Sequence, residues 1–135
     1  MKFIAIVLIG LFCLNTPELP KNDIQHELII FEGSDWCANC HSLNKKILST
    51  APFKEYIQNS NITLVKVDFP QRKKQSKEEI EKNIELAEKY KFDGNFPMIV
   101  ISSKNNEDFK TLTYSSVYTY NDLQTQITEF ISKQN

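Results

Sequence analysis

Residues 28–40 read LIIFEGSDWCANC, and this stretch decides the fold. Its apolar run 28–31 has the pattern of a buried strand, and Gly-Ser-Asp at 33–35 supplies the turn that follows. Cys37 and Cys40 then stand three positions apart, at the start of a stretch with helical spacing. A cysteine at a helix N-terminus is favoured as a thiolate, because exposed backbone N–H groups and the helix dipole stabilise an anion. The stretch therefore predicts redox chemistry at a pair of thiols.

The rest of the chain predicts an alternation of strands and helices. Strands are predicted at 24–31, 62–68, 98–101 and 109–114, from apolar and β-branched runs. Helices are predicted at 37–48, with a short continuation at 52–57, at 76–90 and near the C-terminus. The first crossovers imply parallel strands, and the short 102–108 link implies an antiparallel hairpin. The order is β-α-β-α-β-β-α, an α/β fold with a central mixed four-stranded sheet flanked by helices.

Two capping patterns mark the later helices. Ser76 and Glu79 form a Ser-x-x-Glu capping box, which predicts the start of a helix. Ile80, Ile84 and Ala87 follow at helical spacing. The helix is expected to end near 93–94. In the C-terminal helix, Asn121 with Gln124 is predicted as the N-cap pair. The apolar stripe of that helix is predicted to consist of Leu123, Ile127, Phe130 and Ile131.

Composition limits the classes of partner. The chain has 135 residues, enough for one domain, and a formal net charge of −1, so nothing indicates nucleic-acid binding. Its only basic run, Arg72-Lys73-Lys74, is followed closely by glutamates and is interpreted as a solvated loop.

The N-terminus is predicted to be a targeting segment. Lys2 precedes the apolar run 3–14, which has the shape of a secretory leader and is too short to span a bilayer. Residues 1–16 are predicted to be a signal peptide or N-terminal membrane anchor, 17–23 a linker and 24–135 the folded domain. Cys13 falls in the leader, and whether it is lipidated stays open. Membrane contact is expected only through this segment.

The motifs together resemble the thioredoxin superfamily. Trp36-Cys37-x-x-Cys40 follows the first strand, and Phe96-Pro97 precedes the third. Within that superfamily, the GSDWC turn at 33–37 and the DFP loop at 68–70 are similar to small exported bacterial thioredoxin-like proteins, relatives of the thiol–disulfide interchange domains. The resemblance covers about residues 24–133 and implies a thioredoxin fold. It also implies that the protein is exported and is located in the periplasm or cell envelope.

The resemblance also implies roles for individual residues. Cys37 would be the nucleophile and Cys40 the resolving thiol of a Cys37–Cys40 disulfide, an assignment that the helix N-terminus favours as well. Pro97 matches the family's cis-proline, which leaves the backbone of Phe96 free to pair with a bound peptide. Trp36 would pack beside the site. No metal and no cofactor beyond the dithiol is implied.

Proton handling is where the sequence departs from the family. Lys66 matches a lysine beneath the site, but the usual buried acid, six residues before the first cysteine, is replaced by Phe31. Glu32 comes one residue later, on the opposite face of a regular strand. Glu32, Asp35 and Lys66 are therefore candidates for accepting the proton of Cys40, and a bound water is the alternative.

The activity implied is thiol–disulfide exchange with a protein disulfide substrate and an upstream electron donor or acceptor. The dipeptide Ala38-Asn39 is neither the histidine-containing pair of strongly oxidising members nor the Gly-Pro of reducing ones, so a middling to reducing potential is expected.

Other classes of protein compete with this interpretation. Cys37-x-x-Cys40-His41 also satisfies the haem-attachment pattern of a c-type electron carrier, with Met98 as the candidate sixth ligand. A zinc site would need His26 as a distant fourth ligand. A third alternative is a non-catalytic module that keeps the fold only to bind a partner.

Overall fold

In the part of the chain that the structure describes, one mixed sheet of four strands forms the centre of the fold. The computed structural model describes residues 26–104 and 107–134. Its strand order is β2-β1-β3-β4, with β1 parallel to β2 and antiparallel to β3, and β3 antiparallel to β4. The mixed sheet predicted from the sequence is thereby confirmed. The strands are β1 His26–Glu32, β2 Ile62–Asp68, β3 Met98–Ser103 and β4 Phe109–Leu112.

Within the described residues, four α-helices flank the sheet. The predicted helix 37–48 is present, but its second half is wound as a π-helical turn, Asn44–Leu48. Pro52 lies in the first turn of the next helix, where its missing N–H costs nothing. The capping box of Ser76 and Glu79 is confirmed. The helices are α1 Ala38–Leu43, α2 Ala51–Asn59, α3 Lys77–Lys89 and α4 Tyr120–Ser132.

Alternation along β1 divides the core into two layers. Leu28 and Ile30 pack against α1, the π turn, α2 and α4, whereas Ile29 and Phe31 pack on the side of α3. All four side chains are fully buried, and burying each contributes about 1.5–3 kcal/mol. We call these two sides of the sheet the cysteine-helix face and the α3 face.

The predicted helix 76–90 is present as α3, but two of its regularly spaced apolar residues face solvent. Ile80 and Ile84 are 45% and 48% exposed. The helix instead turns Asn83 inward, because the Asn83 side-chain amide donates to the Asp68 carbonyl at 2.8 Å. The helix also ends at Lys89, before the predicted end near 93–94. Two residues after that end, Lys91 takes a left-handed φ of 53°.

Three element ends near the C-terminus differ from prediction. The N-cap of α4 is Thr119, which forms a capping box with Asp122 and has the extended backbone that an N-cap needs. The predicted N-cap pair, Asn121 and Gln124, lies two positions too late in the sequence. β3 runs on to Ser103. β4 stops at Leu112, since the backbone N–H and C=O of Thr113 are taken by the side chain of Gln126.

Among residues 26–104 and 107–134, no helix is long and apolar enough to cross a membrane. The predicted leader at 1–16, with Cys13, and the linker at 17–23 lie outside the described residues and stay predictions.

Stability is expected to depend on pH through His26. Burial lowers the pKa of His26 below its usual 6.5, and its Nε2 has no hydrogen-bond partner among the described residues. The unfolded chain therefore takes up a proton that the folded chain resists. We expect no contribution above about pH 7.5, and below pH 6.5 a fall in unfolding free energy of at most about 1.4 kcal/mol per pH unit. The fall levels off below the lowered pKa.

Denaturant unfolding across this pH range measures the effect. His26→Leu is expected to remove the dependence between about pH 5 and 7. His41→Gln, at the other histidine, which is exposed, is the matched control and is expected to retain it. Equal pH profiles for the wild type and His26→Leu would contradict the assignment.

Candidate active site

The two cysteines lie at the N-terminus of α1. Cys37 is the N-cap residue and is joined to Cys40 by a disulfide. The backbone N–H of Cys40 donates to Cys37 Sγ at 3.1 Å, so a thiolate at Cys37 would meet a donor already in place. Cys37 and Cys40 are buried, while Ala38 and Asn39 between them are exposed. The predicted position of the pair is confirmed.

A carboxylate at the end of β2 holds the turn before Cys37. Asp68 lies opposite Glu32 in the parallel pairing of β1 and β2. Its two carboxylate oxygens accept the backbone N–H of Ser34 at 2.8 Å and the Ser34 hydroxyl at 2.5 Å. The turn that leads into the cysteines is thereby tied to the neighbouring strand.

Asp35 holds the loop at 69–75. Its carboxylate accepts the backbone N–H groups of Gln71, Arg72 and Lys73 at 2.8–2.9 Å. These hydrogen bonds, with the nearby Lys73 ammonium, lower the pKa of Asp35 from its usual 3.8. Both carboxylate oxygens are thus occupied by loop amides, a structural role that the sequence analysis did not anticipate.

Trp36 covers one side of the site. Its indole Nε1–H donates to the carbonyl of Phe69 at 2.8 Å, and the side chain stays 37% exposed. A Cβ placed on Gly33 would overlap the indole ring, so glycine is required there by close approach.

An aromatic chain links Trp36 to the core. The Trp36 ring stands edge-on to the Phe96 ring, with 5.2 Å between the ring centroids. The Phe96 and Phe92 rings are also edge-on, at a centroid distance of 4.8 Å. Phe92 in turn stacks on buried Phe31 at a centroid distance of 4.9 Å. Such contacts each contribute about 0.5–1.5 kcal/mol beyond burial. The Phe96–Pro97 peptide bond is cis, as the resemblance implies.

Glu32 lies on the cysteine-helix face. It follows Leu28 and Ile30 along that face, is only 7% exposed, and its Oε1 is 3.4 Å from the Lys66 ammonium. Lys66 also donates to Asn44 Oδ1 at 3.3 Å, which joins the pair to the π turn. Phe31 points to the α3 face instead. The acid that pairs with Lys66 therefore stands one residue later than the family spacing suggested.

The competing haem and zinc interpretations find no geometric support. His41, in α1, is hydrogen-bonded through Nε2 to the Ser34 carbonyl at 2.7 Å. Met98 packs on the α3 face, whereas α1, which carries His41, packs on the cysteine-helix face. Within the described part of the chain, no group of three or more His, Cys, Asp or Glu residues is arranged to hold a metal ion.

Comparison with known proteins identifies the family. A family model described as thioredoxin-like matches residues 24–103. The chain belongs to this family. The predicted thioredoxin fold is also supported by a solution structure of a thioredoxin from Thermus thermophilus, which matches with a TM-score of 0.53 over 81% of this chain and 75% of the other. At 16% identity, that likeness concerns the fold alone.

Two matches are to proteins named DsbH. The disulfide bond reductase DsbH of Chlamydia pneumoniae is 39% identical over 83 residues, which are 62% of this chain and 49% of that protein. The chain thus spans about half the length of this curated relative. A solved structure named DsbH oxidoreductase matches with a TM-score of 0.69 and 28% identity, over 80% of this thioredoxin-like chain and 74% of the other.

Several residues of the site carry no local signal in the sequence. Asn44 meets Lys66 only because the π turn and β2 pack together. Phe69 contributes a backbone carbonyl, which any residue has. The Tyr114 hydroxyl is 3.5 Å from the Asn39 carbonyl, across a sequence separation of 75 residues. Such contacts are set by the tertiary fold.

Gly33→Ala is expected to displace the indole of Trp36. Because the added methyl occupies the position of the ring, the hydrogen bond to Phe69 is lost and stability falls by about 1–3 kcal/mol. Trp36 is the sole tryptophan, so its fluorescence spectrum reports the displacement directly.

A double-mutant cycle provides the control for this overlap. In a Trp36→Leu background, where the ring is absent, Gly33→Ala is expected to cost less than about 1 kcal/mol. An equal cost in both backgrounds would show that the backbone, not the indole, demands glycine.

Proposed function

We propose that this thioredoxin-like chain is a thiol–disulfide oxidoreductase that reduces disulfides of protein substrates through Cys37 and Cys40. The observation that carries the proposal is the Cys37–Cys40 disulfide at a helix N-terminus, with the Cys40 N–H directed at Cys37 Sγ. Its relative named as a disulfide bond reductase supports the reducing direction. The dipeptide Ala38-Asn39 is consistent with that direction.

The reaction is two successive exchanges. The Cys37 thiolate attacks one sulfur of the substrate disulfide, forming a mixed disulfide and releasing the other substrate sulfur as a thiolate. The Cys40 thiolate then attacks Cys37 Sγ, which forms the Cys37–Cys40 disulfide and releases the second substrate sulfur. Two electrons pass to the substrate, and its two thiolates take up protons. An upstream dithiol returns the chain to its reduced state.

Glu32 is our candidate for the group that accepts the proton of Cys40. It is a buried carboxylate on the cysteine-helix face, the side of the sheet on which α1, with Cys40 in its first turn, lies. Lys66 holds it there through an ion pair, and Lys66 in turn donates a hydrogen bond to Asn44. Asp35, the third candidate, is occupied by three loop amides and is better placed as a structural anchor.

The exposed surface around Cys37 would receive the substrate. Trp36 offers an exposed aromatic edge, and Phe96 precedes the cis bond to Pro97, where its backbone would pair with a substrate peptide. The sequence of residues 1–16 supports action outside the cytoplasm, in the periplasm or cell envelope.

Trapping with single cysteine variants tests the proposal. In Cys40→Ser, the second exchange is blocked, so the mixed disulfide between Cys37 and a disulfide-containing protein substrate is expected to accumulate on non-reducing gels. Cys37→Ser is the matched control and is expected to trap nothing, because the nucleophile is absent. A non-catalytic binding module would give no covalent complex with either variant.

The direction of electron flow is tested by the reduction potential of the pair, from free-thiol counts across a redox buffer series. A reductant is expected to lie near about −250 mV or below, and a value above about −150 mV would contradict that direction.

Glu32→Gln is expected to slow the second exchange by about a hundredfold near neutral pH, the scale of losing a general base. The deficit is expected to shrink as pH rises, since Cys40 then ionises without help, and Glu32→Asp is expected to restore part of the rate. Stopped-flow measurement of mixed-disulfide decay separates this step from the first.

Glu27→Gln is the matched control for the glutamate substitution. Glu27 lies near the start of the same strand and pairs with Lys104 at 3.3 Å, away from the cysteines. Its rate is expected to match the wild type. A deficit in Glu32→Gln that is equal at all pH values would show a purely structural role.

A further inference from the structure

A lysine-lined cleft of about 340 Å³ adjoins the redox site. It lies between α3, the strand β2 and the loop at 69–75. Four ammonium groups and two carboxylates line it. The basic residues are Lys66, Lys73, Lys74 and Lys82, and the acidic ones are Asp68 and Glu79.

The carboxylates of the cleft already have partners within the chain. Asp68 accepts two hydrogen bonds from Ser34, and Glu79 accepts the Ser76 N–H in the capping box, which lowers the pKa of Glu79. Lys74 and Lys82, by contrast, are exposed and form no salt bridge within the described residues. Hydrogen bonds from uncharged donors leave both carboxylates negative, but four ammonium groups face these two carboxylates and the Glu32 carboxylate that pairs with Lys66, so the net formal charge at the cleft is positive.

The loop that carries two of these lysines is held in shape. Asp35 binds three consecutive backbone N–H groups at its start, and the Gln75 side chain donates to the Asp68 carbonyl at 3.0 Å at its end. Asn83 of α3 donates to the same carbonyl. The backbone positions of Lys73 and Lys74 are therefore set before any ligand arrives, which reduces the ordering cost of binding.

The apolar part of the lining consists of Val65, Pro70 and Leu86, and we call it the floor of the cleft. In the sheet that residues 26–104 and 107–134 form, β2 is an edge strand. Consecutive strand residues point to opposite faces, so a cleft lined by both Val65 and Lys66 follows the edge of β2. The outer backbone groups of an edge strand are available to an added strand.

We propose that this cleft binds an extended acidic segment of the protein whose disulfide is exchanged at Cys37. Acidic side chains of the segment would pair with the lysines, and its apolar side chains would cover the floor. Exposed ammonium groups spread along an open groove fit such a segment better than a single small anion, which needs converging donors. Lys66 and Asp68 are shared with the redox site, so bound segment and bound disulfide would be neighbours. Identifying the segment's owner as the redox substrate rests on the proposed function.

Peptide binding tests the docking itself. The probe is a fluorescein-labelled peptide of alternating Glu and Val without cysteine, followed by anisotropy at low ionic strength. Lys74→Glu/Lys82→Glu is expected to raise the Kd by about tenfold or more, because two attractive charges become repulsive. Lys54→Glu/Lys133→Glu is the matched control, because it changes the net charge by the same amount at sites away from the cleft, on α2 and just after α4. Its Kd for the peptide is expected to stay within about twofold of the wild-type value.

A salt titration of the wild type needs no substitution, and binding is expected to weaken steeply as ionic strength rises. Equal binding of a Lys-Val peptide, an equal loss in the Lys54/Lys133 variant, or displacement of the peptide by inorganic phosphate at the peptide's own concentration would each overturn the docking proposal. The last of these outcomes would mark a small-anion site.

Disulfide peptides separate this inference from the proposed function. Two disulfide-containing peptides are compared as substrates: one carries a Glu-Val tail, and the matched peptide carries a Ser-Gly tail. The kcat/KM for reduction of each peptide is measured with the wild type and with the Lys74/Lys82 variant. The wild type is expected to prefer the acidic tail by about tenfold, and the Lys74/Lys82 variant to lose that preference. Reduction of both peptides at equal rates would overturn the docking role alone. Binding without reduction of either would overturn the proposed function and leave the docking in place.

Discussion

The hydrogen bonds between Asp68 and Ser34 are the constraint on which the rest of the site depends. Parallel pairing of β1 and β2 brings the ends of both strands to one edge of the sheet, and the carboxylate there fixes the turn that presents Cys37. From the same turn, Asp35 holds the loop at 69–75 and Trp36 reaches the carbonyl of Phe69. The turn that Asp68 fixes thus presents Cys37 and Trp36, and through Asp35 it also holds the loop of the lysine-lined cleft.

The two faces of the sheet divide the work of the site. On the cysteine-helix face, Glu32 is paired with Lys66 beneath the helix that carries the cysteines. On the α3 face, aromatic contacts run from buried Phe31 through Phe92 to Phe96 and then to Trp36 at the surface. The proton acceptor and the substrate contacts that we propose therefore lie on opposite faces of the sheet.

Local patterns predicted what depends on near neighbours. Continuous apolar runs identified the central strands, and the capping box at Ser76 identified the start of α3, because both signals lie within a few residues. Prediction was wrong where a distant group decided the outcome. β4 ends early because the side chain of Gln126, in the C-terminal helix, takes the backbone N–H and C=O of Thr113.

By itself, the sequence determined the fold class and the place of the dithiol at a helix N-terminus, because a thiol pair, a strand-turn-helix pattern and an X-Pro pair are encoded within short stretches. Only the tertiary structure decided which acid pairs with Lys66. Counting residues from the cysteine pointed to Phe31, whereas side-chain alternation and strand register bring Glu32 to Lys66. The basic run at 72–74, interpreted as a solvated loop, likewise became part of a cleft only when β2 and α3 packed beside it. Distances between strands are properties of packing, and no local pattern records them.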